Sequence, residues 1–320
     1  MSHIALNSGH KMPTVGMGLW KIPKSVCADQ VYEAIKQGYR LLDGACDYAN
    51  EKETGQGIRR AISEGLVTRE DLFITSKLWC TYHAKEHVKP ALQKTLGDLQ
   101  LEYLDLYLVH FPIALKFVPF EERYPPEWSH QPGGPVIPAN VPFRDTWEGM
   151  EALADDGLVK SIGISNMPGA LIYDLLTYAR IRPAVHQIEV HPYLIRKQLV
   201  DLAHTEGIAV TAYSSFGDTS YHEINMVPTD RSLVHLLKHG VINDIAHRLG
   251  KSPAQVLLRW AVQRGCAVIP KSSNPKRLKE NLDLFSFELE DADMREIGKL
   301  DKNLKFNDPA VYAKRAIWAS

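Results

Sequence analysis

Short apolar runs rich in β-branched residues alternate along this chain with stretches whose apolar positions recur at helical spacing. The runs fall at Val15–Leu19, Tyr39–Asp43, Leu72–Ser76, Leu104–His110, Val159–Ser165, Ala184–Glu189, Ile208–Tyr213 and Cys266–Pro270. Helical stretches follow at Cys27–Gln37, Glu51–Glu64, Glu86–Leu99, Arg144–Asp155, Gly169–Tyr178, Arg196–Thr205, Pro253–Gln263 and Pro275–Leu282. Gly38 and Gly65 stand where left-handed helix caps belong. Near-continuous apolar strands separated by helices predict parallel pairing with helices covering the sheet. Eight such units in roughly 250 residues predict an α/β fold, a closed (β/α)8 TIM barrel rather than an open doubly wound sheet.

Two segments break the rhythm: the Pro-rich, aromatic stretch 111–140 and the polar stretch 214–239. In a barrel both follow strand C-termini, where ligand-gating loops sit. Asn7-Ser8-Gly9-His10 reads as the turn of an N-terminal β-hairpin that closes the barrel bottom. No linker divides the chain, so residues 1–320 read as one domain.

Composition narrows the classes. Hydrophobic residues make up 45% and charged residues 23% of the 320, enough apolar surface for a folded core. The net charge of −1 gives no reason to expect nucleic acid or an anionic membrane as partner. Four widely spaced cysteines form no C-x-x-C pair, and thirteen histidines include no H-E-x-x-H, so a metal site is not expected. A polar start and the lack of a long apolar run predict a cytoplasmic protein.

Some motifs are decoys. Gly16-x-Gly18 and Gly55-x-Gly57 lack the third glycine of a dinucleotide fingerprint. Gly250-Lys251-Ser252 resembles the end of a phosphate loop, but Ile245 occupies the first glycine position. A helix end followed by a new start at Ser252-Pro253 explains it better. The informative residues are polar groups at strand ends: Asp43, Lys77 and His110 become neighbours on one rim, and Tyr48 can fold back over them. Buried Lys and Asp are rare unless paired.

Asp43-Gly-Ala-Cys-Asp47-Tyr48-Ala-Asn50-Glu51, Ser76-Lys77-Leu78-Trp79, Leu104–His110, Ser161–Asn166 and Ile269-Pro270-Lys271-Ser272 with Arg277 and Asn281 resemble the aldo-keto reductase superfamily. The resemblance covers essentially the whole chain. Within the superfamily, His110-Phe111-Pro112, Tyr124-Pro125-Pro126, Ala212–Gly217 and Phe306-Asn307-Asp308-Pro309 are similar to the xylose reductases. It implies a barrel enzyme without a Rossmann domain that reduces open-chain aldoses to alditols, D-xylose to xylitol first among them. The implied cofactor is NADPH, with NADH as the alternative, and the implied partner a small sugar; monomer and homodimer both stay open.

The resemblance makes Tyr48 the acid. A free phenol titrates near about 10, and Lys77 is expected to lower that value while Asp43 holds the ammonium. His110 would orient the carbonyl oxygen. Ser165, Asn166 and Gln187 are implied to hold the carboxamide and Tyr213 to stack on the nicotinamide. Ser214, Phe216 and Glu223 would follow the diphosphate and ribose. Lys271, Ser272, Ser273, Asn274, Arg277 and Asn281 would surround the adenosine end, with a cationic pocket suited to a 2′-phosphate. Trp20, Asp47, Trp79, Phe111 and Asn307 would line the sugar pocket.

Departures bear on specificity. Ser273, followed by Asn274, replaces the Asn common in dual-specificity relatives, and Cys80 stands where Asn is common. The 125–142 loop and the extended C-terminal tail after Pro309 also differ, and such a tail often overlays the sugar site. Lys116, Lys314 or Arg315 near the pocket would favour a sugar phosphate or a uronate. A cofactor-binding relative without turnover and a glycosidase using Asp43 and Glu189 are the remaining alternatives.

Overall fold

The computed structural model describes residues 2–221 and 233–318. Two strands, β1 (His3–Ala5) and β2 (Lys11–Pro13), form the antiparallel N-terminal hairpin. Eight parallel strands follow: β3 (Gly16–Gly18), β4 (Leu41–Asp43), β5 (Phe73–Leu78), β6 (Leu106–Val109), β7 (Ile162–Ser165), β8 (Val185–Glu189), β9 (Ala209–Tyr213) and β10 (Cys266–Val268). Each pairs with its neighbour in chain order. A bridge between Val15 and Val268, with Val268 N donating to Thr14 O at 2.9 Å, joins the last strand to the first and closes the barrel.

The outer layer begins with α1 (Lys24–Lys36), α2 (Glu51–Ser63), α3 (Lys85–Leu99) and α4 (Phe143–Asp155). It continues with α5 (Gly169–Tyr178), α6 (Lys197–Thr205), α7 (Gly240–Leu249), α8 (Pro253–Gln263) and α9 (Pro275–Leu282). Two further helices, α10 (Asp291–Gly298) and α11 (Pro309–Tyr312), lie beyond the eight units. Gly38 (φ +107°) and Gly65 (φ +72°) end α1 and α2 in the left-handed conformation. The following amides, Tyr39 N and Leu66 N, each reach back to a carbonyl of the last turn at 3.0 Å.

Strand alternation sorts the side chains. Leu41, Phe73, Leu106, Leu108, Val185, Ala209, Ala267 and Ile269 form an interior cluster with Leu6 and Met12 of the hairpin. Leu42, Ile74, Tyr107, Val109, Ile188 and Val210 belong instead to the larger cluster shared with the helices. The hairpin thus plugs the barrel at the N-terminal strand ends, helped by Asn7 Nδ2 donating to Pro183 O at 2.9 Å. The same two-residue period continues upward. Two positions after Leu41 comes Asp43, two after Thr75 comes Lys77, and two after Leu108 comes His110. The barrel therefore directs these polar side chains inward at its C-terminal rim.

The decoy glycines are packing devices. A Cβ on Gly55 would sit 2.2 Å from Leu99 O, and one on Gly57 2.5 Å from Ala28 O, so α2 touches α3 and α1 backbone to side. A Cβ on Gly18 would meet Ile269 O at 2.6 Å, where the barrel closes. Gly250 caps α7 with φ +63°, and Ser252 opens α8 with a reciprocal capping box to Gln255. Among the described residues no helix is long and apolar enough to cross a membrane.

Candidate active site

Lys77 is fully buried. Its ammonium donates to Asp43 Oδ1 at 2.6 Å, to Gly44 O at 2.8 Å and to Tyr48 Oη at 3.3 Å. Gln187 Nε2 holds the other Asp43 oxygen at 2.6 Å, so both carboxylate oxygens are occupied. Tyr48 reaches this point because a short helical turn, Cys46–Tyr48, ends at Ala49 with φ +59° and returns the phenol over the rim. His110 sits edge-on to Trp79 and Tyr48, with ring centroids 5.2 and 6.0 Å apart. Its Nδ1 is buried without a hydrogen-bond partner among the described residues, leaving Nε2 as the nitrogen for the cleft.

Burial sets the protonation states. It pushes the Tyr48 phenol well above its ordinary value, and the Asp43 carboxylate adds to the rise. The net direction is therefore upward, opposite to the lowering expected from the nearby Lys77 ammonium, because burial dominates. Burial weakens the lysine cation as well, lowering the Lys77 ammonium while Asp43 opposes the drop. His110 is driven well below the usual imidazole range by burial and by the Lys77 charge, so the ring is neutral near pH 7. The site thus holds a protonated phenol, a neutral imidazole and an anchored ammonium: an acid, a hydrogen-bonding ring and a charge to receive the phenolate.

A cleft of about 730 Å³ opens above this group. It is lined by Trp20, Asp43, Asp47, Tyr48, Trp79, His110, Phe111, Ser165, Asn166, Gln187, Tyr213, Ser214, Phe216, Lys271, Ser272, Ser273, Asn274, Arg277, Asn281 and Asn307. Every site residue expected from the sequence is therefore on one surface, with two exceptions. Lys77 lies behind it, and Glu223 lies outside the described residues.

At the floor, Ser165 Oγ donates to Gln187 O at 2.9 Å and Asn166 Nδ2 donates to His110 O at 3.0 Å. Tyr213 Oη donates to Asn166 Oδ1 at 2.6 Å. Asn166 and Ser214 hold positive φ, +55° and +54°, at the ends of β7 and β9. Such strain gathers where side chains must be aimed. At the far end, Lys271 and Arg277 make no ion pair among the described residues and flank the N-terminus of α9. Unpaired cations at a helix N-terminus suit a phosphate. Asn274 Oδ1 is committed to capping that helix, accepting from Lys276 N and Arg277 N at 2.9 and 3.2 Å, so only its amide nitrogen is left for a ligand.

Several cleft residues have no counterpart in the sequence reading. Trp128 of the long loop and Tyr312 of the tail close the upper wall, their rings 5.4 Å apart. Trp128 also packs on Trp79 and Phe111 at 5.1 and 4.9 Å. Trp79 donates Nε1 to Glu127 O at 2.8 Å, so it is both core and cleft wall. Lys116, Lys314 and Arg315 do not line the cleft, and Arg315 Nη2 instead donates to Val136 O at 2.5 Å. Glu189 is also bound elsewhere: its oxygens accept from Phe306 N and Asn307 N at 2.9 and 3.1 Å, and one lies 2.8 Å from His191 Nε2. It anchors the tail and is not one of a pair of free carboxylates.

The model of the aldo/keto reductase family matches residues 13–302. The chain belongs to that family. It is 57% identical over 309 residues to a probable NAD(P)H-dependent D-xylose reductase of Emericella nidulans, covering 97% of this chain and 96% of that one. It is 55% identical to an NADPH-dependent D-xylose reductase of Meyerozyma guilliermondii, covering 96% of each. Among solved structures, the aldose reductase from Schistosoma japonicum superposes with a TM-score of 0.87 at 38% identity, covering 98% of this chain and 97% of the other. This aldo/keto reductase thus has its rim, cleft and helix-capped cationic end in a barrel of the same architecture as that enzyme.

Proposed function

We propose that this aldo/keto reductase converts open-chain aldoses to alditols, D-xylose to xylitol in the first instance, using NADPH and, less effectively, NADH. The observation that carries the reading is the buried Asp43–Lys77–Tyr48 contact at the floor of a cleft long enough to present cationic groups at its other end. When bound, the reduced dinucleotide supplies the hydride that the carbonyl carbon accepts. Ser165, Asn166 and Gln187 would hold the carboxamide, and the Tyr213 ring would shelter the nicotinamide. His110 Nε2 hydrogen-bonds the carbonyl oxygen and fixes its direction. As charge builds on that oxygen, Tyr48 gives it a proton, and Lys77 stabilises the phenolate left behind. Asp43, itself held by Gln187, keeps the ammonium in place.

Trp20, Asp47, Trp79, Phe111 and Asn307 receive the sugar. Asp47 is pushed up to about 7 by burial, with Glu127 adding to the rise, so near neutrality it populates both an accepting and a donating form toward hydroxyls. Lys271, Ser272 and Arg277 would take the 2′-phosphate, while Ser214, Phe216, Ser273, Asn274 and Asn281 would flank the rest of the adenosine half. Residues 1–320 act as one barrel domain in the cytoplasm, on a small sugar and with no nucleic acid or membrane partner.

The test is NADPH consumption by the purified protein with D-xylose, L-arabinose, mannose 6-phosphate and galacturonate. The reading predicts the highest kcat/KM with D-xylose. A preference for either anionic sugar would contradict it.

A further inference from the structure

Among the described residues, the tail after Pro309 reaches the cleft through one side chain, Tyr312. Asp308 Oδ1 caps the short turn by accepting from Ala310 N at 2.9 Å, which turns Tyr312 back toward the barrel. The Tyr312 hydroxyl then donates to Asn307 Oδ1 at 2.7 Å. Asn307 Nδ2 donates to Tyr213 Oη at 3.1 Å, and Tyr213 Oη donates to Asn166 Oδ1 at 2.6 Å. The chain of donors runs in one direction, and Asn307 is its pivot. Glu189 fixes the Asn307 backbone, and among the described residues the two phenols are what fix which way its amide faces. Burial pushes the Tyr312 phenol upward, so it stays a donor across the working pH range.

We propose that Tyr312 is a positioning residue for sugar recognition, an inference that rests on the aldose reductase reading above. Its hydroxyl claims the Asn307 carbonyl oxygen, which turns Nδ2 toward Tyr213 and leaves the second Nδ2 hydrogen for a sugar hydroxyl. Without that donor the amide loses its preferred face. Asn307 then presents oxygen or nitrogen to the sugar in turn, and its hold on Tyr213 weakens. An aldehyde that has no hydroxyls makes no use of the amide, so the effect falls on sugars.

Steady-state kinetics with NADPH compare D-xylose with butanal for the wild type, Tyr312→Phe, Asn307→Ala and the double variant. Tyr312→Phe keeps the ring against Trp128 and removes only the hydroxyl. The proposal predicts that the xylose-to-butanal ratio of kcat/KM falls about fivefold, the size of one oriented hydrogen bond, mainly through the xylose KM. In the Asn307→Ala background the same substitution changes the ratio less than twofold, because the side chain it acts on is gone. A ratio unchanged by Tyr312→Phe overturns the proposal, as does an equal fall in both backgrounds. Loss of both substrates in parallel also overturns it, since that assigns Tyr312 to shaping the wall. A wild type that reduces butanal but not D-xylose fails the aldose reading itself, a different result from any of these.

Discussion

Lys77 has no exposed surface, and among the described residues its one anionic hydrogen-bond partner is Asp43. That ion pair needs its remaining lone pairs and protons satisfied to persist out of water: Gln187 Nε2 donates to the second Asp43 oxygen, and the Gly44 carbonyl accepts another ammonium proton. Directly behind it, Ser76 faces the opposite side of β5 and donates to Glu51 Oε1 at 2.6 Å. Burial raises the Glu51 carboxyl to about 7. A carboxyl whose folded value exceeds its unfolded one binds protons more tightly when folded, so its contribution to stability falls as pH rises from about 4.5 toward 7, by up to about 1.4 kcal/mol per pH unit. Glu51→Gln removes that dependence. Thermal melts of the ligand-free protein should show the variant gaining on the wild type as pH climbs from 5 to 8, and a constant difference would count against a buried, titrating Glu51. At this scale Asp43, Lys77 and His110 are legible in the sequence because polar residues at the ends of apolar strands have few other places to go, while Tyr48, on the turn beyond β4, is legible through the motif it shares with the aldo-keto reductases. Trp128 and Tyr312 are not, since their direction depends on loop and tail geometry that no periodicity encodes.

Elements explain the glycines that motif reading cannot. Gly55 lies on the face of α2 that meets the C-terminal end of α3, where Leu99 leaves no room for a methyl group. Gly55→Ala should separate the two helices and cost about 1–3 kcal/mol, read as a lower denaturation midpoint in urea; an unchanged midpoint would mean that the contact yields freely. The strands and most helices follow from periodicity to within a few residues. α7 is missed because it has no strand before it, although its buried face at Ile242, Ile245 and Ala246 has helical spacing. α10 is missed for a different reason. Its capping box is made by Glu290 and Asp293, without the Ser or Thr that usually marks a start.

The whole molecule joins two ends. The hairpin seals the bottom with apolar residues, and the same inward face continues to the polar rim, so the packing that closes the barrel also aims the site. The cleft then runs from that rim to Lys271 and Arg277 beside α9. If those cations read a 2′-phosphate, Arg277→Ala should raise the KM for NADPH about tenfold or more and alter that for NADH by less than about threefold. Equal effects on both cofactors would move the phosphate elsewhere. The most direct measurement of the central claim is made on Tyr48→Phe, following D-xylose reduction together with NADPH binding by fluorescence titration. The account predicts a fall in kcat/KM of about 10²–10⁴-fold, the scale of a lost general acid, with NADPH affinity within about threefold of the wild type. Near-normal turnover by that variant would contradict it, because the proton would then come from another group.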